Sequence, residues 1–308
     1  MKISHNLKKK HGGRPILLII GSDGLIGGGL REYIANKNKE VWETTRRIDT
    51  TSKKRLYLDL SSDITRWSPP KSVTACYICA GTSIQYCKKY PKKSRIINVD
   101  NVVLLAKKLI SDSSFVIFLS SNYVYDGSMP FQKPNKPTSP LTEYARQKAA
   151  AEKRLISLGK SVTILRSTKV FSSKMPLFMK WIRDLQNNKT IHPARDKVVS
   201  PIPLFFMIDV LYYLSKIHAS GIMQISGEMD VTYADIAYQI VKYLKVSRKL
   251  VAPFSSTDLQ IDTHLVAPHA TLESSKVLLD KGIKPPKVWD TINWMIRENA
   301  KSVQSYSS

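Results

Sequence analysis

An apolar run followed by regularly spaced glycines, near the N-terminus, limits the fold more than any other part of the sequence. The run ILLII (16–20) leads directly into GSDGLIG (21–27), and a helix-forming stretch, GGLREYIANK, comes next. A continuous apolar run of this length is typical of a strand buried on both faces. Gly21 permits a tight turn, Gly24 lets the backbone approach a pyrophosphate at the helix N-terminus, and Gly27 allows close packing of helix on strand. The order strand–turn–helix therefore predicts a dinucleotide-binding turn.

Further runs of strand length alternate with predicted helices along the first half of the chain. They lie at residues 40–45, 56–58, 73–79, 115–119 and 162–165. Buried strands separated by helices predict an α/β fold built on a Rossmann-type doubly wound parallel sheet. After Phe171 the predicted elements are shorter, and we expect a smaller C-terminal α/β subdomain that binds the substrate.

The sequence divides into four parts on this interpretation. Residues 1–14 are basic and contain two adjacent glycines, so we expect a flexible lead-in. Residues 15–170 are predicted to form the NAD(P)-binding Rossmann domain. Residues 171–300 mainly form the substrate-binding subdomain, with room for Rossmann elements to return within it. The Ser-rich residues 301–308 are expected to be a flexible tail.

The composition of the chain bears on the cellular compartment in which we expect the protein. No apolar run in the 308 residues approaches the ~20 residues of a membrane span, and no secretory-type apolar segment follows the basic N-terminus. An odd number of cysteines, Cys76, Cys79 and Cys87, is typical of a reducing compartment, so we expect a cytoplasmic protein. Cys76 and Cys79 lie in a β-branched and aromatic run without a second Cys/His pair. We interpret them as core residues and expect no metal site.

The net charge of +24, from 48 Lys and Arg residues against 24 Asp and Glu, is the most unusual bulk property. Such a charge suits a nucleic-acid surface or anionic small ligands. The basic residues are spread along the chain and are not interleaved with aromatic residues in one block, which argues against nucleic acid as the main partner. A positive cleft would instead raise the local concentration of ligands that carry pyrophosphate.

Two arginines at the end of the second predicted strand bear on the choice of cofactor. An Asp or Glu there would meet a free ribose 2′-hydroxyl, whereas Arg46 and Arg47 suit a 2′-phosphate. NADP is therefore favoured, and NAD stays open. Asp59 follows the third strand, where it either meets an adenine amino group or caps a helix over residues 61–67. The residues predicted to bind the cofactor are Gly21, Gly24, Leu25, Ile26, Gly27, Arg46, Arg47, Asp59, Leu60, Cys79, Ala80, Gly81, Tyr144 and Lys148.

Three residues carry the predicted chemistry. Tyr144 and Lys148 are four residues apart on a predicted helix, so they share a face, and the lysine ammonium would stabilise a phenolate. Ser121 follows the fifth strand, where its hydroxyl can hydrogen-bond a substrate oxygen that gains charge. Hydride transfer to a carbonyl, with Tyr144 as proton donor, needs this set. A proline-rich loop, residues 129–140, is expected to form a surface flap.

The sequence resembles the extended short-chain dehydrogenase/reductase superfamily, and within it the dTDP-4-dehydrorhamnose reductase-like branch. The motifs that carry the resemblance are GSDGLIG (21–27), DL (59–60), CAGT (79–82), Asn98, SSNYVYDG (120–127), SPLTEYARQK (139–148) and LRSTKVF (165–171). The resemblance extends over about residues 15–285 and is strongest before Phe171. It implies a Rossmann domain, NADPH or NADH, a nucleotide-linked 4-keto-sugar as substrate, and catalytic roles for Ser121, Tyr144 and Lys148.

The resemblance also implies which residues approach the substrate, and the sequence departs from the branch there. The implied substrate-binding residues are Thr82, Ser121, Asn122, Tyr123, Tyr144 and Lys169. Asn122 replaces the usual Asp, which removes a charge, and Lys169 stands where the branch has Trp. His269 and Ala270 lie in a segment that matches the branch only loosely. We expect Arg195 or Lys169 near the substrate diphosphate.

Two alternatives stay open beside an NADPH-dependent reductase of a nucleotide-activated 4-keto-6-deoxysugar. One is an NAD(P)-dependent nucleotide-sugar epimerase on the same scaffold, which Arg46 and Arg47 weakly disfavour. A dehydratase is disfavoured because Asn122 and Tyr123 follow Ser121, where such enzymes carry an acidic pair. The other is a non-catalytic NADP-binding regulatory subunit, which the intact catalytic set disfavours. The sequence is compatible with a homodimer.

Overall fold

Strands and helices alternate along most of the chain in the computed structural model, which describes residues 15–259 and 267–305. The strands are β1 Ile16–Ile20, β2 Val41–Thr45, β3 Arg55–Tyr57, β4 Val73–Ile78, β5 Phe115–Ser121, β6 Val162–Ser167, β7 Val170–Phe171, β8 Val198–Val199, β9 Ile202–Pro203, β10 Gly221–Ile225 and β11 Val231–Thr232. The α-helices are α1 Leu25–Asn36, α2 Ile84–Lys89, α3 Pro91–Arg95, α4 Asn101–Ser111, α5 Glu143–Ile156, α6 Pro176–Gln186, α7 Leu204–Ile217, α8 Tyr233–Leu244, α9 Lys276–Leu279 and α10 Val288–Ser305. The predicted lead-in, residues 1–14, lies outside the described residues.

Seven of these strands form one sheet in the order β10-β6-β5-β4-β1-β2-β3. β1 pairs in parallel with β2 on one side, Leu18 opposite Trp42, and with β4 on the other, Leu18 opposite Cys76. β2 pairs in parallel with β3, and β4 with β5. The strand order reverses between β1 and β4, and in sheets of this kind ligands bind at the carboxyl ends of the strands beside that reversal. The sheet confirms the predicted Rossmann-type doubly wound architecture.

The central strand and its helix show why the sequence folds this way. Every residue of β1 after Ile16 is buried, as a strand covered on both faces requires. In α1 the buried residues are Gly27, Leu30 and Ile34, which share one face of the helix. Gly27 belongs to this face because the helix lies too close to the preceding turn for a larger side chain.

The loop after β3 differs from its predicted structure. Residues 61–67 were predicted to be helical, and they form turns instead. The Asp59 carboxylate accepts hydrogen bonds from the Ser61 backbone N–H at 2.9 Å and from the Ser61 hydroxyl at 2.8 Å. This local turn competes with helix formation. The prediction of a helix here is therefore wrong, and Asp59 does not act as a helix cap.

A π-helical segment, Ile96–Asp100, joins α3 to α4. The sequence predicts one long helix from Pro91 to residue 110, and the structure adds this wider turn within it. Asn98 lies at the middle of the segment and is 1% exposed. Segments of this kind are rare and frequently occur at functional sites.

The chain folds as two units, and the first contains residues 15–119, Gln147–Leu165 and Ile208–Gly221. Its core is apolar and fully buried, and it is supplied by the sheet and by the helices on it. Examples are Leu18 in β1, Val116 in β5 and Leu105 in α4. This unit holds the glycine turn and the loops that follow β2, β3 and β4.

The second unit contains Ser120–Arg146, Arg166–Met207 and, among the described residues, 222–259 and 267–305. Its core lies between α6, α8 and α10, where Phe178, Ile240 and Ile296 are buried. α8 begins at a capping box, in which the Thr232 hydroxyl and the Asp235 carboxylate each accept a hydrogen bond from the other's backbone N–H.

The predicted domain boundary at residue 170 stays a prediction. Each of the two units is made of several separate stretches of the chain, so no single boundary divides them. α10 continues to Ser305, into the segment predicted as a tail. None of the helices formed by residues 15–259 and 267–305 combines the length and apolar character of a membrane span.

Candidate active site

The glycine turn between β1 and α1 fits a dinucleotide pyrophosphate. Gly21 has a φ of 86°, and a Cβ there would lie 2.9 Å from the Ala80 backbone. At Gly27 a Cβ would lie 2.3 Å from the Gly21 carbonyl oxygen. α1 begins after Gly24, with no side-chain cap and no acidic residue in its described first turn. Its first backbone N–H groups therefore stay available to a phosphate.

A cleft of about 170 Å³ in the first unit is lined by this turn and by the ends of β2, β3 and β4. Of the residues predicted to bind the cofactor, the cleft brings together Gly21, Gly24, Arg46, Asp59, Leu60, Cys79, Ala80 and Gly81. Thr82, predicted to approach the substrate, lines it as well. The structure places Leu25, Ile26 and Gly27 in the first turn of α1, outside the lining. Arg47 is also outside it.

The two neighbouring arginines differ in their surroundings. The Arg47 guanidinium forms an ion pair with the Asp23 carboxylate at 2.6 Å. Arg55, in β3, pairs with the same carboxylate at 2.5 Å and with Glu43 at 3.1 Å. Burial raises the pKa of the Asp23 carboxyl, but hydrogen bonds from Arg47 and Thr45 outweigh it and the pKa is lowered. Among the described residues, no carboxylate lies within ion-pair distance of Arg46, so its charge is available to a ligand of the cleft.

The sequence pattern did not reveal Asp23, Glu43 and Arg55 as parts of this site. Asp23 lies inside the glycine turn, where only the glycines were assigned a role. Arg55 is 32 residues away from it. Two sequence features could have pointed to these residues: a carboxylate between the glycines and an arginine on the third strand. Neither feature indicates a binding site unless the fold is known.

A buried polar network holds the loop after β4. The Asn98 side chain accepts a hydrogen bond from the Thr82 backbone N–H at 3.0 Å and donates to the Thr82 hydroxyl at 2.8 Å. It also donates to Gln147 at 2.9 Å, and Gln147 donates to the Ser94 hydroxyl at 2.8 Å. The network fixes the loop beside Gly81 from the π-helical segment. Gln147 was missed by the sequence reasoning, although it lies within the motif of Tyr144 and Lys148.

All three cysteines of the first unit are free thiols. Cys76 and Cys87 are buried, and Cys79 is half-buried. Burial raises the pKa of the Cys79 thiol to about 12, although the charge of Lys148 lowers it. Burial also raises the pKa of Cys76. Thiols that stay protonated are poor redox and metal-binding groups. In the described part of the chain, no group of His, Cys, Asp and Glu residues could hold a metal ion.

Lys148 is buried in the first unit, at 6% exposure. Its ammonium donates a hydrogen bond to the Leu119 carbonyl oxygen at 2.8 Å and lies 4.5 Å from the centre of the Phe118 ring. A Cβ on Gly81 would lie 3.7 Å from the same ammonium, so the charge lies beside the wall of the cofactor cleft. Burial lowers the pKa of Lys148 to about 8, against the opposing charge of Glu152.

In the second unit, Ser121, Asn122, Tyr123 and Tyr144 lie together. The Ser121 hydroxyl accepts a hydrogen bond from the Tyr123 backbone N–H at 3.3 Å and donates to the Asn122 side chain at 3.3 Å. The rings of Tyr123 and Tyr144 meet edge to face, with centres 6.4 Å apart. Burial raises the pKa of Tyr123. Tyr144 is half-buried in α5, four residues before Lys148 on the same helix.

Asp230 anchors a segment that contacts this group. Its carboxylate accepts hydrogen bonds from the backbone N–H groups of Ala270 at 3.0 Å and Thr271 at 2.9 Å, and lies 3.0 Å from a ring nitrogen of His269. Asn122 donates to the Ala270 carbonyl oxygen at 3.3 Å. Asp230 thus holds the loosely matching segment beside Asn122, a role that no local sequence signal indicates.

Lys169 lies in the second unit, directly before β7, and its side chain is exposed. Desolvation lowers its pKa, and the neighbouring charge of Lys197 lowers it further. Lys197 was not among the predicted site residues. Arg195, which the sequence also placed near a diphosphate, lies 4.0 Å from the Asp258 carboxylate.

Comparison with known proteins identifies sequence relatives and solved structures of similar fold. The chain is 27% identical over 234 residues to a dTDP-4-dehydrorhamnose reductase of Aggregatibacter actinomycetemcomitans, covering 73% of this chain and 77% of that protein. It is 23% identical over 161 residues to the bovine (Bos taurus) methionine adenosyltransferase 2 subunit beta. That match covers 49% of this chain and 45% of the bovine protein. The crystal structure of a dTDP-4-dehydrorhamnose reductase from Bacillus anthracis in complex with NADP superposes with a TM-score of 0.76. It covers 95% of this chain and 100% of that one, at 17% identity.

The family assignment rests on a match along almost the whole chain. The profile of the RmlD substrate binding domain matches residues 15–300, which include the glycine turn and the predicted catalytic residues Ser121, Tyr144 and Lys148. This confirms the predicted resemblance to the dTDP-4-dehydrorhamnose reductase-like branch. The chain belongs to the RmlD substrate binding domain family.

Proposed function

We propose that this protein is an NADPH-dependent reductase of a nucleotide-activated 4-keto-6-deoxysugar, with a dTDP-4-dehydrorhamnose reductase-like activity. The observation that carries the proposal is the place of Lys148. Its buried ammonium lies beside Gly81 in the wall of the dinucleotide cleft, on the helix that also carries Tyr144. This arrangement serves proton donation coupled to hydride transfer.

In the proposed reaction, bound NADPH supplies the hydride to the keto carbon of the sugar. Ser121 donates a hydrogen bond to the keto oxygen, on which negative charge develops. Tyr144 donates its phenolic proton to that oxygen, so the ketone becomes an alcohol. The Lys148 ammonium stabilises the phenolate that remains until a proton from solvent restores it. Asn98 and Gln147 hold the loop of Gly81 and Thr82 in place during the reaction.

We assign the pyrophosphate of the cofactor to the glycine turn and the N-terminus of α1. Arg46 binds the 2′-phosphate, whereas Arg47 is engaged by Asp23. NADP is therefore preferred, and NAD is accepted more weakly. The NADP complex of the Bacillus anthracis relative supports this assignment.

The test is NADPH oxidation with a panel of nucleotide-linked 4-keto-6-deoxysugars. Tyr144→Phe should lower kcat by about 100-fold or more, since general acid catalysis typically contributes a factor of that size. Tyr243→Phe, at an exposed tyrosine of α8, is the matched control and should leave kcat unchanged. Full activity of Tyr144→Phe would refute the proposal.

A regulatory subunit is the second candidate, and the similarity to methionine adenosyltransferase 2 subunit beta favours it. Such a subunit would bind NADP without consuming it on any sugar of the panel. Turnover by the wild-type protein that Tyr144→Phe abolishes would exclude this role. An epimerase would instead interconvert nucleotide sugars without net oxidation of added NADPH.

We further propose that the protein works in the cytoplasm on a nucleotide sugar, with no nucleic acid as its main partner, and as a homodimer. The positive charges are spread along the chain and do not form one block, which supports the proposal that nucleic acid is not the main partner. Light scattering on the purified protein tests the oligomeric state. Strong retention on heparin that vanishes in moderate salt would contradict the expected lack of a nucleic-acid site.

A further inference from the structure

One carboxylate of the glycine turn lies in the wall of the cofactor cleft. Asp23 directly precedes Gly24, and it lines the cleft together with Thr45 and Arg46. In a dinucleotide-binding turn it is the backbone that approaches the pyrophosphate. A negative charge at this place repels the phosphate groups of a cofactor unless cations neutralise it. Asp23 therefore bears on which cofactor the cleft accepts.

Three donors bind the Asp23 carboxylate. Its Oδ1 atom accepts hydrogen bonds from the guanidinium groups of Arg47 at 2.6 Å and Arg55 at 2.5 Å. Its Oδ2 atom accepts one from the Thr45 hydroxyl at 2.7 Å, and Thr45 is buried. The charge of Asp23 is thus used within the protein, on groups at the end of β2, just after it and at the start of β3.

The two arginines are held to different degrees. The Arg55 side chain is 13% exposed, and it also pairs with the Glu43 carboxylate at 3.1 Å. Arg55 therefore keeps a partner whether or not Asp23 is charged. The Arg47 side chain is 61% exposed, and its ion pair is with Asp23. Loss of the Asp23 charge would release Arg47 and leave Arg55 in place.

A released Arg47 would lie next to the group that distinguishes NADP from NAD. Its guanidinium already contacts Asp23 in the wall of the cleft, and the residue before it, Arg46, lines the same wall. Arginine binds phosphates well because its guanidinium forms paired, charge-assisted hydrogen bonds. The Asp23 carboxylate uses the same donors that a phosphate would use. Asp23 and a 2′-phosphate thus compete for one guanidinium.

We propose that Asp23 is a specificity-determining residue, which withholds Arg47 from the 2′-phosphate and so limits the preference of the cleft for NADP over NAD. This inference rests on the proposed function, in which the cleft binds NADP with Arg46 at the 2′-phosphate. It adds that a carboxylate of the glycine turn, and not only the arginines after β2, sets the choice of cofactor.

The test measures the dissociation constants of NADP and NAD by calorimetry, without a sugar. Asp23→Asn should lower the Kd of NADP about threefold or more and change that of NAD less than about twofold, since Arg47 gains a charge-assisted contact with the phosphate. In the Arg47→Ala background the same substitution should leave the Kd of NADP within about twofold. Asp49→Asn removes an equal charge two residues after Arg47, and as the matched control it should leave both constants within about twofold.

The other outcomes overturn the inference. Weaker binding of both cofactors by Asp23→Asn would limit Asp23 to holding the turn, and weaker binding of NAD alone would make it a ligand of the ribose. Unchanged constants, or an equal gain for NADP with Arg47→Ala or in Asp49→Asn, would show that Asp23 does not act by withholding Arg47. Each of these results leaves the proposed function standing. A wild-type protein that binds neither cofactor would refute the proposed function, and this inference with it.

Discussion

Lys148 donates its hydrogen bond to the carbonyl oxygen of Leu119, the residue that precedes Ser120 and Ser121 in β5. The bond ties the helix of the proposed proton donor to the strand that carries the proposed oxyanion ligand. In the proposed mechanism Lys148 therefore has a positional role as well as an electrostatic one. The same burial that fixes its position makes its charge sensitive to pH.

The rate of NADPH oxidation should fall as pH rises through about 8. Burial lowers the pKa of Lys148 to about 8, so the ammonium loses its proton above that pH and no longer stabilises the Tyr144 phenolate. Glu152 raises this pKa, so Glu152→Gln should move the fall to lower pH. The measurement is kcat from pH 6 to about 10 for both proteins. A profile of Glu152→Gln displaced to higher pH would contradict this account.

Arg46 and Arg47 should differ in their effect on cofactor choice. Arg46→Ala should raise the Kd of NADP about tenfold and that of NAD much less, because a charge-assisted hydrogen bond contributes about 1.5–3 kcal/mol. Arg47→Ala should have a smaller effect on the ratio, since Arg47 is engaged by Asp23. Fluorescence titration with both cofactors measures the ratio. An unchanged ratio in Arg46→Ala means that this arginine does not bind the 2′-phosphate.

Gly27→Ala should unfold more easily than the wild-type protein. The added Cβ would lie 2.3 Å from the Gly21 carbonyl oxygen, and relief of such a clash in a packed turn costs about 1–3 kcal/mol. Gly28→Ala is the control, because its Cβ would meet its nearest neighbour, the Ser22 carbonyl oxygen, at 3.3 Å. Urea denaturation measures the difference. Equal stability of the two variants would show that helix and turn can separate.

Replacement of Asn98 should impair the loop of Thr82. Asn98→Ala removes the acceptor of the Thr82 backbone N–H, while the Thr82 hydroxyl keeps Cys87 Sγ at 3.2 Å as a partner. The N–H left unpaired should cost about 1–3 kcal/mol. Asn98→Asp keeps the acceptor for the N–H but cannot donate to Gln147, so it too should be destabilised. Thermal unfolding and the KM for the sugar test both variants. A normal KM in a destabilised variant would limit Asn98 to a structural role.

The sheet and the cofactor turn were predictable because their signals are local. An apolar run and three glycines specify β1, the turn and α1 without help from distant residues. The contacts around Asp23 and Asp230 were not predictable, since their partners are 32 and 40 residues away. The wrong helix at residues 61–67 shows the opposite error, in which a local pattern was overruled by the hydrogen bonds of one side chain, Asp59.

The π-helical segment makes the chain sensitive to its own length between Pro91 and α4. Within the segment Asn98 holds the loop of Thr82, and directly after the segment Asn101 donates hydrogen bonds to the carbonyl oxygens of Leu60 and Ser62 at 2.9 and 2.8 Å. Loss of one residue would turn everything beyond it by about 100° around the helix axis. The two asparagines could then not both reach their partners. Point substitutions on the outer face should be accepted here far more readily than a deletion of a single codon.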